Sequence, residues 1–235
     1  MTTPAERTLQ ALIFDFDHTL SDFGRWVEWR RARDDIGALY TRYGVDAATV
    51  LRRGGSFSLI AALHDALAAT ATAAEAAAVR EEAFRVLERY EWAGAERAAL
   101  LRGAGTAIED AARRGLALAI VSANAEQPIR RALERLGVAD AFAVVVGRTT
   151  ARPLKPEPDM HREALRVLGC DAGRALAVGD SPNDMKAAAA AGVLTIGVVG
   201  GEGSEADLFA TGATYVLADL RALPTLLALW EHAAG

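Results

Sequence analysis

The sequence predicts an α/β fold: a parallel sheet covered by helices, with an all-helical segment inserted near its start. Three observations carry this. Short apolar runs without alternation recur at 9–14, 116–121, 142–146, 175–178 and 194–199, the pattern of strands buried on both faces. From 106 onward, helical patterns separate these runs, and Gly115, Gly137, Gly169 and Gly192 follow the helices as stops. Between 21 and 100 the strand patterns vanish, and Ala, Arg, Glu and Leu dominate with helical spacing.

Taken in order, the strand at 9–14 delivers Asp15 and Asp17 to its carboxyl end. A helix is expected over 25–43, with Trp26 and Trp29 packing inside the insert and Gly44 as its stop. Gly54-Gly55 mark a break before helices over 59–67 and 74–92. A helix over 106–114 then leads to the strand 116–121 and Ser122, and a helix over 127–136 to the strand 142–146. Three prolines in the connection 152–158 fix the path of the chain around Lys155. A helix over 159–168 precedes the strand 175–178, which ends in Gly179-Asp180. After it come a helix over 183–191, the strand 194–199, a short strand at 215–217 and a last helix over 220–230. Ligands of such sheets bind beyond the carboxyl ends of the strands, where Asp15, Asp17, Ser122, Lys155, Asp180 and Asp184 are placed.

A net charge of −5 argues against general nucleic-acid binding, which needs a basic face. No run reaches the roughly 18 apolar residues of a spanning helix; the alanine-rich stretch 61–79 is interrupted by His64, Asp65 and Glu75. The polar start, 1–10, carries Glu6 and Arg7 and does not read as a secretory signal. Cys170 is the single cysteine and cannot form an internal disulfide, which fits a reducing, cytoplasmic compartment. No exposed apolar stripe marks a subunit interface.

Asp15-Phe16-Asp17-His18-Thr19-Leu20, a strand ending in Ser122, Lys155-Pro156, and Gly179-Asp180-Ser181-Pro182-Asn183-Asp184 follow one another across nearly the whole chain. Together they resemble the haloacid dehalogenase superfamily, in its phosphatase branch with a small helical cap, which holds phosphoglycolate-phosphatase-like and β-phosphoglucomutase-like members. The resemblance implies a Rossmann-like core of 1–20 and 101–235, with 21–100 as the cap. It implies Asp15 as the nucleophile forming an aspartyl-phosphate, and Asp17 as general acid and then base. Lys155 would offset charge on the phosphoryl group, and Ser122 with the Ala123 amide would bind its oxygens. Mg²⁺ would be held by Asp15, Asp180 and the backbone carbonyl of Asp17.

These residue types suit the chemistry. A phosphate dianion repels an attacking carboxylate by roughly 4 kcal/mol per charge pair at close contact, so cations must stand beside it. Asp17 must carry a proton near neutral pH, which crowding by other carboxylates is expected to provide. Asp184 is expected to position Lys155 or a metal-bound water, and Thr19 to tie down the first loop. Asn124 is expected to face the substrate or cap the next helix. His18 stands where most helical-capped members carry glycine and is expected to pack; Arg53 is expected to meet a second anionic group on the substrate.

Carbon–halogen cleavage is disfavoured because those members generally lack the second carboxylate, and a phosphonate hydrolase would need a cap lysine, absent from 21–100. A hexose-phosphate mutase with the same core stays open. A phospho-accepting signalling domain is remote, since it would carry its acceptor on a later strand and need no helical insert. The expected substrate is a small phosphorylated metabolite, with phosphoglycolate, sugar phosphates and nucleoside monophosphates all suitable.

Overall fold

The computed structural model describes residues 8–50 and 56–233. Residues 1–7 of the polar start, and the expected substrate-selecting Arg53 with Gly54-Gly55, lie outside them. Six strands, β1 (Ala11–Phe14), β2 (Ala117–Val121), β3 (Phe142–Val146), β4 (Ala175–Gly179), β5 (Leu194–Val198) and β6 (Tyr215–Leu217), form one parallel sheet in the order β3-β2-β1-β4-β5-β6. The helices α1 (Trp29–Thr41), α2 (Ala47–Val50), α3 (Ser56–Ala68) and α4 (Ala73–Arg97) fill the segment after β1, and α5 (Ala104–Arg113) leads into β2. Next come α6 (Glu126–Arg135), α7 (Asp159–Leu168), α8 (Pro182–Ala190), α9 (Glu205–Ala210) and α10 (Leu223–Ala233).

The unbroken apolar runs are explained by two cores, one on each face of the sheet. Leu12 and Phe14 of β1 pack with α5, α6 and α10, while Ala11 and Ile13 pack with α7 and α8. The chain leaves β1 towards β2 and β3, then returns to the other side of β1 for β4. That reversal opens a crevice at the carboxyl end of β1. Phe14 lies level with Ile120 and Val178, so Asp15, Ser122 and Asp180 emerge within one residue of the same height.

The helical segment has its own core, including Ile36, Tyr40, Leu63, Leu67, Ala83 and Leu87. It leaves and rejoins the sheet through two adjacent strands of backbone: the Leu101 amide donates to the Leu20 carbonyl at 2.9 Å, and the Asp22 amide to that of Ala99 at 3.1 Å.

Several boundaries differ from expectation for identifiable reasons. The helix expected over 25–43 is split into a short 3-10 turn, Phe23–Trp26, and α1, with Val27 extended between them. Trp26 and Trp29 therefore do not share a helix. The Trp29 indole donates to the Gly24 carbonyl at 2.8 Å, and Trp26 lies beneath the Arg97 guanidinium, 4.1 Å from its ring centre. α4 runs past Trp92 to Arg97, and Gly94 lets it press against the Phe23 backbone, where a Cβ would sit 2.8 Å from its carbonyl oxygen. α9 was not expected; its signal is the capping box of Ser204 and Asp207. The last helix begins later than 220, after a 3-10 turn over Leu220–Ala222.

His161 on α7 is 3% exposed with its Nδ1 unpartnered, and burial pushes its pKa from 6.5 down to about 4. The unfolded chain takes up this proton below pH 6.5 and the folded chain does not. Stability from this group is therefore full above pH 6.5 and lost as pH falls towards 4, by about 3 kcal/mol in total. His161→Leu is expected to remove that component. Subtracting its denaturant-unfolding free energies from those of the parent between pH 7 and 4 isolates it, and parallel curves would show that the imidazole does not titrate this way.

Candidate active site

The crevice is lined by Asp15, Asp17, His18, Ser122, Ala123, Asn124, Lys155, Asp180 and Asp184, so the residues expected from separate strand ends are brought together. Asp15 follows β1 directly, and its amide donates to the Val178 carbonyl at 2.8 Å, which fixes it against β4. The Lys155 ammonium reaches Asp15 Oδ1 at 2.7 Å, Asp184 Oδ1 at 2.5 Å and the Val121 carbonyl at 3.2 Å. Asp184 thus holds Lys155. Its other oxygen closes the capping box of α8, accepting from the Ser181 amide at 3.0 Å and hydroxyl at 2.6 Å.

Asp180 is held from both sides. Its Oδ1 accepts from the Thr19 hydroxyl at 2.8 Å, which ties the first loop to β4. Its Oδ2 accepts from the Glu202 amide at 2.9 Å. Gly201 permits that approach, since a Cβ there would fall 1.9 Å from Asp180 Oδ2.

Asp15, Asp180 and Asp184 each offer an oxygen within 4.8 Å of the others. Asp184 is the third of the clustered carboxylates, and the Asp17 side chain, though it lines the same crevice, lies outside the cluster. Three carboxylates against one ammonium leave a net charge of −2, and hard oxygen donors with that deficit fit a divalent cation such as Mg²⁺. Burial pushes Asp15 well up, against the pull of Lys155, and burial followed by Asp184 pushes Asp180 up to about 6. Burial is the largest influence on Asp184 and acts upward, but Lys155 and the Ser181 hydroxyl and amide together outweigh it and hold that carboxyl low. A cation among these oxygens would reverse the upward shifts.

Asp17 accepts from the Gly24 amide at 2.7 Å. Its pKa is raised, with burial as the largest cause, opposed by His18 and the Gly24 and His18 amides. Crowding by carboxylates, the expected cause, enters only through Glu202 as the smallest contribution. A Cβ on Gly24 would lie 2.0 Å from Asp17 Oδ2. Gly24→Ala is expected to displace that carboxylate with little change in fold and, with Asp17 as the general acid the resemblance implies, to cut kcat about 100-fold. Steady-state kinetics beside a thermal melt measure both, and unchanged kcat would separate Asp17 from the chemistry.

His18 does not pack as expected. Its φ of 60° is left-handed, the conformation that favours glycine, and its side chain is 45% exposed at the mouth, 3.7 Å from Asp17 Oδ2. Asn124 neither caps α6 nor has its polar atoms free for a ligand: its Oδ1 accepts from the Ser122 hydroxyl at 3.1 Å, and its Nδ2 donates to Glu91 at 3.0 Å.

Sequence reasoning missed Glu91 and Arg148, a fully buried ion pair behind Ser122. The signal was present, because Leu87, Glu91 and Ala95 recur at the spacing of α4's buried face, and a carboxylate there demands a partner.

The haloacid dehalogenase-like hydrolase family model matches residues 9–192. A phosphoglycolate phosphatase of Rhodospirillum rubrum is 35% identical over 191 residues, covering 78% of this chain and 77% of its own. The tyrosine-protein kinase PtkA of Mycobacterium tuberculosis is 31% identical over 211 residues, covering 88% of this chain and 68% of its own. In fold, the chain resembles CbbY from Rhodobacter sphaeroides, solved with xylulose-1,5-bisphosphate, at a TM-score of 0.63 and 24% identity over 91% of this chain and 96% of that one. It also resembles a structure described as a predicted phosphatase from Clostridium acetobutylicum, at a TM-score of 0.69 and 19% identity over 94% and 99%. The chain belongs to the haloacid dehalogenase-like hydrolase family.

Proposed function

We propose that this chain is a Mg²⁺-dependent phosphatase acting on a small phosphomonoester metabolite, with Asp15 as its nucleophile. The observation that carries the reading is Asp15 at the carboxyl end of the central strand, 2.7 Å from Lys155 and inside a three-carboxylate cluster. The family and the R. rubrum relative support phosphomonoester hydrolysis, and phosphoglycolate is the first substrate to test.

In this mechanism an Asp15 oxygen attacks phosphorus and the ester P–O bond breaks, while Asp17 gives its proton to the leaving alkoxide. Asp17, now a carboxylate, takes a proton from the water that attacks the aspartyl-phosphate, releasing phosphate and restoring Asp15. Lys155, Ser122 and the Ala123 amide hold the phosphoryl oxygens through both steps. Asp15, Asp180 and the Asp17 carbonyl would hold Mg²⁺, which would supply positive charge to offset repulsion between carboxylate and phosphate. The helical segment 21–100 acts as a cap that shields the crevice and selects the substrate.

Phosphate release from an aryl phosphate, then from a panel led by phosphoglycolate, tests the reading. Turnover is expected to vanish in a chelator and return with excess Mg²⁺; chelator-resistant turnover would overturn the metal dependence. Isomerisation of a hexose phosphate without phosphate release would instead establish the mutase. Phosphorylation of a protein tyrosine, as the name of the M. tuberculosis relative describes, would establish a kinase.

A further inference from the structure

We infer that Glu91 and Arg148 are positioning residues for the turn 122–125, an inference that rests on the phosphatase reading above. Both side chains are sealed from solvent, at 0% and 1% exposure. The guanidinium grips the carboxylate with two parallel bonds, Nη1 to Oε1 at 2.8 Å and Nη2 to Oε2 at 2.9 Å.

Further bonds of both residues reach the turn. Arg148 Nη1 also donates to the Ala123 carbonyl at 2.9 Å, and the Arg148 amide donates to the Asn124 carbonyl at 2.8 Å. Glu91 Oε1 accepts from Asn124 Nδ2 at 3.0 Å, and Oε2 from the Ala125 amide at 3.1 Å. Asn124 passes the constraint on, since its Oδ1 accepts from the Ser122 hydroxyl. Residues 123, 124 and 125 are thus each fixed from behind, while Ser122 and Ala123 face the crevice in front. Gly147 allows the close approach of the two segments, because a Cβ there would sit 2.5 Å from the Glu126 amide nitrogen.

A buried ion pair gives little net stability over apolar residues of similar volume, so packing alone does not require this one. What apolar residues cannot supply is the directional hold on a turn whose own side chains include alanines at 123 and 125. α4 also contributes Phe84, whose carbonyl accepts from Arg148 Nη2 at 3.4 Å and whose ring lies 5.1 Å from the guanidinium. The last helix of the inserted segment therefore sets the geometry of the phosphate-binding turn.

The test separates positioning from stability. The double variant Glu91→Leu/Arg148→Met replaces the pair by apolar side chains, and Glu91→Gln keeps the shape but removes the charge. Binding of inorganic phosphate is measured by calorimetry with Mg²⁺ present, beside thermal melts and aryl-phosphate kinetics. In the double variant, phosphate binding is expected to weaken about tenfold, the factor for loss of a well-aimed hydrogen bond or two, while the melting point holds. KM should rise more than kcat falls. Glu91→Gln should weaken phosphate in the same direction. Wild-type phosphate affinity in either folded variant, whatever its melting point, would overturn the inference. Failure of the parent protein to bind phosphate or to hydrolyse the aryl ester would instead overturn the phosphatase reading, and this inference with it.

Discussion

Asp15→Asn is expected to abolish turnover of every phosphomonoester, lowering kcat by at least about 10⁴-fold, as removal of a covalent nucleophile does. Asparagine keeps the shape but its amide cannot form the acyl-phosphate. The fold should survive. Asp15 is tied to β4 by its amide, and its raised pKa means that its charge is costly in the folded chain without a cation. A neutral isostere removes that cost while Asp184 keeps its hold on Lys155. Thermal stability in a chelator should therefore equal or exceed that of the parent, and the added stability from Mg²⁺ should shrink because one of the clustered carboxylates is gone. Kinetics and melts with and without Mg²⁺ read both quantities. Turnover above about 1% of the parent would mean that another group attacks phosphorus, since nucleophile loss costs far more than that.

Much of this arrangement was legible in the sequence because strand ends are easy to locate. Unbroken apolar runs mark buried strands, and the residue after each run must lie at the sheet's carboxyl end. That logic reached Asp15, Ser122 and Asp180, and proline punctuation reached Lys155. It failed where position depends on packing between distant segments. The Gly24 amide meets Asp17 only because the chain makes a 3-10 turn before α1, where tryptophan spacing had predicted a continuous helix. Glu91 meets Arg148 across 57 positions of sequence, a pairing that no local pattern records. His18 shows a third limit: its left-handed backbone is a property of the loop, invisible from residue type, and it turned an expected packing residue outward. Arg53, the expected reader of the substrate's far end, lies outside the described residues, so selectivity stays with the assay panel.

Lys155→Met should show how strongly the carboxylates depend on their one ammonium. Methionine approximates the aliphatic length of lysine but leaves Asp15 and Asp184 without their shared partner, turning a cluster charge of −2 into −3. Like charges about 4 Å apart repel by roughly 4 kcal/mol in an intermediate dielectric, and breaking a buried pair from one side costs about 3–5 kcal/mol. In a chelator at pH 7.5 the melting point should fall by about 10 °C for a chain of this size. Two routes relieve the strain. Mg²⁺ should restore most of the lost stability, giving a larger metal-induced shift than in the parent. Protons should act similarly, with a definite sign. A carboxyl whose folded pKa is raised stabilises the fold at low pH and loses that contribution as pH rises through the folded value. Asp180 already stands at about 6 against 3.8 unfolded, so the variant should recover relative to the parent, whose His161 loses stability over the same range, as pH drops below 6. Activity should not recover with either, because in the proposed mechanism the ammonium also holds the phosphoryl oxygens, and kcat should stay down by about 10³-fold. A variant as stable as the parent in chelator, with the same response to Mg²⁺, would mean that these carboxylates do not share the lysine's charge. Stability rescued without activity would place Lys155 in both the scaffold and the chemistry, the two roles its bonds to Asp184 and Asp15 already join.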